Sequence, residues 1–173
     1  IAGFKWALAH HYEYIFEMDA DFSHNPQDLP RLYKACAEEG GDVAIGSRYV
    51  SGVNVVNWPM GRVLMSYFAS KYVRFITGIP VHDTTAGFKC YRRCVLQTID
   101  LDNIRFKGYA FQIEMKFTAY KCGFKIPVIF INRELGTSKM NGSIFGEAVF
   151  GVIKLKLNSW FHKYPQKAGN NKP

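Results

Sequence analysis

The sequence lacks any run of 18 uninterrupted apolar residues. A helix needs about 20 to cross a bilayer, so no spanning helix is expected. Cysteine is scarce: Cys36, Cys90, Cys94 and Cys122. They form no CxxC pair and no Cys/His cluster at zinc spacing, and read as reduced, mostly buried thiols of a reducing compartment. His10, His11, His24, His82 and His162 are scattered, so spacing defines no catalytic dyad or metal triad. No signal-peptide pattern and no internal repeat appear. The chain opens on Ile1 inside a helical pattern, which implies that a segment precedes it.

Acidic residues are in deficit: 14 Asp+Glu against 22 Lys+Arg, a formal charge of +8. Such a surface favours anionic partners: phosphate, nucleic acid or an acidic membrane face. No nucleic-acid reader motif is present, so nucleic acid is not an expected partner. Aromatics are abundant, with 14 Phe, 10 Tyr and 3 Trp in 173 residues. That length supports one core, and part of so aromatic a surface should face something other than water.

Residues 1–11 read as the end of a helix, and Tyr14 to Met18 as a buried strand. A helix over 28–39 stops at Gly40-Gly41, and a second buried strand spans Asp42 to Gly46. Strand–helix–strand is a βαβ unit, so an α/β fold with a mostly parallel sheet is expected. A loop follows at 49–58, then a helix at 60–77, a polar loop at 81–87, a strand at 88–91 and a short helix at 93–98. A helix at 109–122, a strand at 126–132, a polar loop at 133–142 and a helix at 143–161 complete the pattern. The Pro/Gly/Asn/Lys-rich residues 164–173 read as a disordered tail.

Ligands of such sheets sit at the carboxyl ends of the strands. Asp19 and Asp21 stand there after the first strand, and Ser47 and Arg48 after the second. In extended backbone, residues i and i+2 point to one side, so the two carboxylates would repel unless a cation lay between them. Mg2+ or Mn2+ suits that need and bridges readily to a substrate diphosphate. The bland alternative for Asp19-Ala20-Asp21 is a solvated Asx or capping turn.

On the helix 60–77, Arg62, Ser66, Ser70 and Arg74 recur every four residues as one polar stripe on an otherwise apolar cylinder. Such a helix is buried or lies in a membrane interface, its arginines facing a phosphate or a polar cleft. The helix 143–161 repeats the theme, with Trp160, His162 and Lys163 near its end. Plain core packing remains the alternative for both. The loop 133–140 carries Arg133, Ser138 and Lys139 around Gly136, suited to closing over a diphosphate or to simple solvation. Gln112 and Glu114 cannot share one helix face.

Six stretches in order then carry a resemblance: EMDADFSHNP (17–26), GSRYVSG (46–52), the Arg62…Ser66 helix, DTTAGFKCYRR (83–93), FKGYAFQIEM (106–115) and RELGTSKM (133–140). With them the chain resembles family 2 glycosyltransferases, more narrowly the polyprenol-phosphate mannose synthases. The resemblance covers nearly the whole chain.

The resemblance implies a GT-A fold without its first strands: a partial catalytic domain over 1–142, interface helices at about 60–77 and 143–163, and the tail. It implies transfer, with inversion, of mannose from GDP-mannose to a dolichyl or undecaprenyl phosphate. Asp19 and Asp21 would hold Mg2+ or Mn2+, with Ala20 and Asp21 touching the donor. Arg48, Arg62 and Ser66 would face the acceptor phosphate, and Asp21 and Arg48 would be catalytic. Arg133 and Lys139 would clasp the donor phosphates. In some members a Gln at the position of Ser23 helps hold the metal, so Ser23 carries no assigned role. The strands that hold the nucleoside are absent, so this part alone is expected to be inactive. A cytoplasmic, peripheral place on the inner membrane face follows. Rival expectations are a polyprenyl-phosphate glucosyltransferase using UDP-glucose, a metal-dependent nucleotidyltransferase, and a non-catalytic membrane-binding module.

Overall fold

The computed structural model describes residues 1–47, 60–131 and 142–168, and only the backbone of 60–66 and 142–148. The order is α1 (Ala2–Ala9), β1 (Tyr14–Glu17), α2 (Leu29–Ala37), β2 (Val43–Ser47), α3 (Met60–Thr77), β3 (Lys89–Arg92), α4 (Arg93–Thr98), α5 (Gly108–Lys121), β4 (Val128–Phe130) and α6 (Gly142–Phe161). Gly78 ends α3 at φ +76°, its N–H returning to the Arg74 carbonyl, and Gly123 follows α5 at φ +84°. Both occupy the left-handed position that glycine adopts without a Cβ penalty.

The described strands form one sheet in the order β1-β3-β2-β4. Pairing is antiparallel for β1 with β3 and for β2 with β3, and parallel for β2 with β4. Three strands therefore run one way. The expected βαβ unit exists, but its two strands are not neighbours: β3, arriving from after α3, inserts between them.

Side chains alternate across the sheet, as the two-residue period requires. Ile15, Val43, Ile45 and Tyr91 join the larger cluster, under α1, α4 and α5. Ala44 and Cys90 join Leu32, Ala35 and Cys36 of α2 on the opposite face. β2 is buried along its whole length because both faces are covered. The four thiols are free; Cys36, Cys90 and Cys122 are buried and Cys94 is half-buried.

Of the expected disordered tail, residues 164–168 are described and make contacts, and 169–173 lie outside the described residues. Lys167 donates its backbone N–H to the Cys122 carbonyl. Its ammonium grips both oxygens of the buried Asp42 carboxylate at 2.9 and 2.8 Å. Tyr164 packs edge-on against Phe117. A lysine and a tyrosine in a polar stretch look solvated until their partners, over 40 positions away, are known.

Candidate active site

β1 ends at Glu17, two residues before Asp19, and the chain then turns rather than continuing extended. Phe22 adopts φ +59°. The expectation that Asp19 and Asp21 share a strand face therefore does not hold. Asp21 Oδ1 instead accepts the Ser23 N–H at 3.0 Å, an Asx turn. Asp19 is 61% exposed, with His24 Nε2 3.5 Å from its Oδ2. His24 stacks on Phe88 at 4.9 Å between ring centroids. Asp19, Ala20, Ser23 and His24 line a cavity of about 480 Å3, and Asp21 stands beside it on the same turn.

The polar loop 83–87 joins this turn to the end of β2. Ser47 donates to Asp83 Oδ2 at 3.2 Å. At the other end of the loop, a β-carbon added to Gly87 would lie 3.5 and 3.6 Å from the Asp19 carboxylate oxygens. Between them the loop is held from α5: the buried Lys116 ammonium donates to the Thr84 and Ala86 carbonyls at 2.8 and 2.7 Å. From α3, Ser70 accepts from the Thr84 hydroxyl at 3.4 Å. Ser70, the one residue of the α3 polar stripe with this contact among the described residues, is itself buried against the loop. Of the two polar clusters expected at the strand ends, this loop links Ser47 with Asp19, while Arg48 lies outside the described residues.

Beneath Asp19 lies a second network. Lys89, directly across from Glu17 in the β1–β3 ladder, is wholly buried. Its ammonium lies 2.9 Å from Glu17 Oε2 and donates to the Gln112 amide oxygen, while the Gln112 amide nitrogen donates to Glu17 Oε1. Burial pushes Lys89 down from its ordinary pKa, and the Glu17 and Asp19 charges oppose that. Gln112 therefore faces the end of β1. Glu114 faces away, its Oε2 accepting the Arg105 and Phe106 N–H groups at 3.0 and 2.9 Å. The two point apart, as their spacing requires.

Spacing alone assigns no role to Asp83, Lys116, Lys89 or Glu17. One signal was present: in Lys89-Cys90-Tyr91-Arg92, alternation puts Lys89 on the same side as the buried Tyr91. Of the other expected site residues, Arg48, Arg133 and Lys139 lie outside the described residues. Arg62 and Ser66 sit on the first turns of α3, where only the backbone is described.

Among the described residues no three or more His, Cys, Asp or Glu side chains form a metal cluster. The donors present still fit a hard divalent ion. Mg2+ and Mn2+ take oxygen ligands, and Mg2+ is commonly held by one or two carboxylates together with waters and substrate phosphates. Asp19 beside the cavity and Asp21 on the same turn are such carboxylates.

An open mixed sheet with helices on both faces and acidic residues just past the carboxyl end of one strand is the GT-A architecture. Glucosyl-3-phosphoglycerate synthase from Mycobacterium tuberculosis, solved with Mn2+, UDP-glucose and glycerol 3-phosphate, matches with TM-score 0.58 and 16% identity, over 88% of this chain and 51% of that one. Its phosphoglyceric acid complex matches with TM-score 0.59 and 14% identity, at the same coverage. Identity that low shows the fold alone.

Residues 1–100 match the family described as Glycosyl transferase family 2, and the chain belongs to it. It is 49% identical over 157 residues to a polyprenol monophosphomannose synthase of Mycolicibacterium smegmatis, covering 89% of this chain and 59% of that protein. It is 47% identical over 160 residues to an undecaprenyl-phosphate mannosyltransferase of Micrococcus luteus, covering 91% and 65%. The chain thus spans about three-fifths of the length of these relatives.

Proposed function

We propose that this chain carries the catalytic centre of a glycosyltransferase that moves mannose from GDP-mannose to a polyprenyl phosphate, with inversion, at the cytoplasmic face of a membrane. The observation that carries this reading is the Asp19-Ala20-Asp21 turn at the end of β1, opening on a cavity of about 480 Å3. Two relatives at 49% and 47% identity, named for mannosyl transfer to polyprenol and undecaprenyl phosphate, supply the substrate class.

Asp19 and Asp21 would hold the divalent ion, which when bound supplies charge neutralisation for a departing diphosphate. Ser47, Ser70 and Lys116 hold the loop 83–87, and with it Gly87, in place beside Asp19, which would present Asp19 to the donor in a fixed position. A lipid phosphate is already anionic at neutral pH and needs no general base, unlike a sugar hydroxyl. That explains a site richer in Arg and Lys than in His. In this reading Arg48, Arg62 and Ser66 receive the acceptor phosphate, and Arg133 and Lys139 take the donor diphosphate.

The membrane side of the reading rests on α3 and α6, which pack on each other: the Tyr72 hydroxyl donates to the Val149 carbonyl at 3.2 Å. Phe68 and Phe75, two turns apart on α3, are 59% and 87% exposed. No helix among the described residues is long and apolar enough to cross a membrane. Helices of this kind lie along the lipid surface.

The test is transfer of radiolabelled sugar to a short polyprenyl phosphate by the full-length protein, with GDP-mannose and UDP-glucose side by side, with and without Mn2+. Metal-dependent mannosyl transfer is expected. Glucosyl transfer alone would replace the donor, and no transfer from either would overturn the reading.

A further inference from the structure

A second cavity, of about 570 Å3, lies on the side of α5 away from Gln112 and Asp19, between Glu114, the loop 100–106 and the end of α6. Arg105, Lys154, Asn158 and His162 all line it. Three of these, Lys154, Asn158 and His162, follow one another at four-residue steps along α6 and the residue after it, so they form one stripe.

The neighbouring stripe of α6 is apolar and outward. Phe150, Ile153, Leu157, Trp160 and Phe161 are 40–89% exposed, while Gly151, Val152, Leu155 and Ser159 on the opposite side are buried. At 100° per residue, Lys154, Asn158 and His162 flank that apolar stripe on one side, and Lys156 and Lys163 flank it on the other. A helix lying with such a stripe in the lipid puts its flanking residues at the level of the headgroups.

We propose that this cavity is a binding site for the phosphate headgroup of an anionic phospholipid, separate from the donor and acceptor sites. The inference rests on the membrane-surface reading of α6. Arg105 and Lys154 are the charged donors, with Asn158 and His162 as further polar contacts. Two carboxyls also line the cavity, and both accept hydrogen bonds from the 100–106 segment. Asp100 accepts the Asp102 N–H and the Asn103 amide. Glu114 accepts two backbone N–H groups; burial pushes its carboxyl above the ordinary value, and those bonds and the Arg105 charge oppose that. The apolar wall formed by Ile104 and Phe106 offers the glycerol and first methylenes a dry surface.

The test is co-sedimentation of the chain with vesicles of phosphatidylcholine alone and with added phosphatidylglycerol. The wild type should bind the anionic vesicles about tenfold more tightly. Arg105→Gln/Lys154→Gln should lose most of that gain and keep the phosphatidylcholine binding. Lys156→Gln/Lys163→Gln, with the same charge change on the other flank, should keep most of it. Equal losses in the two double variants would mean diffuse attraction to the +8 surface and would overturn the site. No binding to either vesicle would instead overturn the membrane reading itself. Inorganic phosphate, followed by NMR without vesicles, separates headgroup capture from a free-phosphate site: saturation in the micromolar range at Arg105 and Lys154 would contradict a lipid-specific role.

Discussion

Gly87 lies against the Asp19 carboxylate, close enough that a β-carbon there would stand 3.5 Å from Oδ2 and 3.6 Å from Oδ1. Its backbone is not left-handed, so alanine fits the fold. A methyl group in van der Waals contact with both oxygens would strip water from Asp19 and crowd any cation it holds. Gly87→Ala is expected to weaken Mn2+ binding by about tenfold, the usual size of a perturbation next to a metal ligand. Mn2+ titration together with a thermal unfolding curve checks this, and the unfolding midpoint should move little.

The buried Lys89–Glu17–Gln112 network makes a stability prediction. Removing one partner of a buried ion pair leaves the other charge uncompensated, at a cost of about 3–5 kcal/mol. Lys89→Met should therefore be strongly destabilised in urea unfolding. Glu17→Gln/Lys89→Met should be less destabilised than Lys89→Met alone, because no orphaned charge remains and Gln at 17 still accepts from Gln112. A double variant as unstable as the single would show that volume, not charge, sets the cost.

Burial holds the Glu114 carboxyl above the ordinary carboxylate range. The sign follows from linkage. A carboxyl raised in the folded state favours folding fully below the unfolded value and loses that contribution as pH climbs through the folded value. Glu114→Gln keeps an acceptor for the Arg105 and Phe106 N–H groups but does not ionise. The stability of the variant minus that of the wild type should therefore rise between about pH 4 and pH 7. Urea unfolding at both values measures it, and a flat difference would contradict the assignment.

Local chemistry was the part most readable before folding. The helix bounds 60–77 and 93–98 match α3 and α4, because Pro and Gly punctuation and apolar spacing act over a few residues. The acidic turn at Asp19 and Asp21 was readable for the same reason. What spacing concealed was long-range. β3 inserts between β1 and β2 although it follows them in the chain, and only the register Glu17↔Lys89 explains a charged residue inside a strand. Lys116 looks like an ordinary helix lysine until its bonds to Thr84 and Ala86, 30 or more positions earlier, are seen. β1 also stops two residues before Asp19, so the two-residue strand period does not orient the aspartates.

The most direct test of the cation role of the acidic turn is Mn2+ binding followed by electron paramagnetic resonance, with GDP present, on the full-length protein and on its Asp19→Ala and Asp21→Ala variants. Each variant should bind Mn2+ about a hundredfold more weakly or worse, with an unchanged unfolding midpoint. Equal Mn2+ affinity in the wild type and both variants would contradict the account.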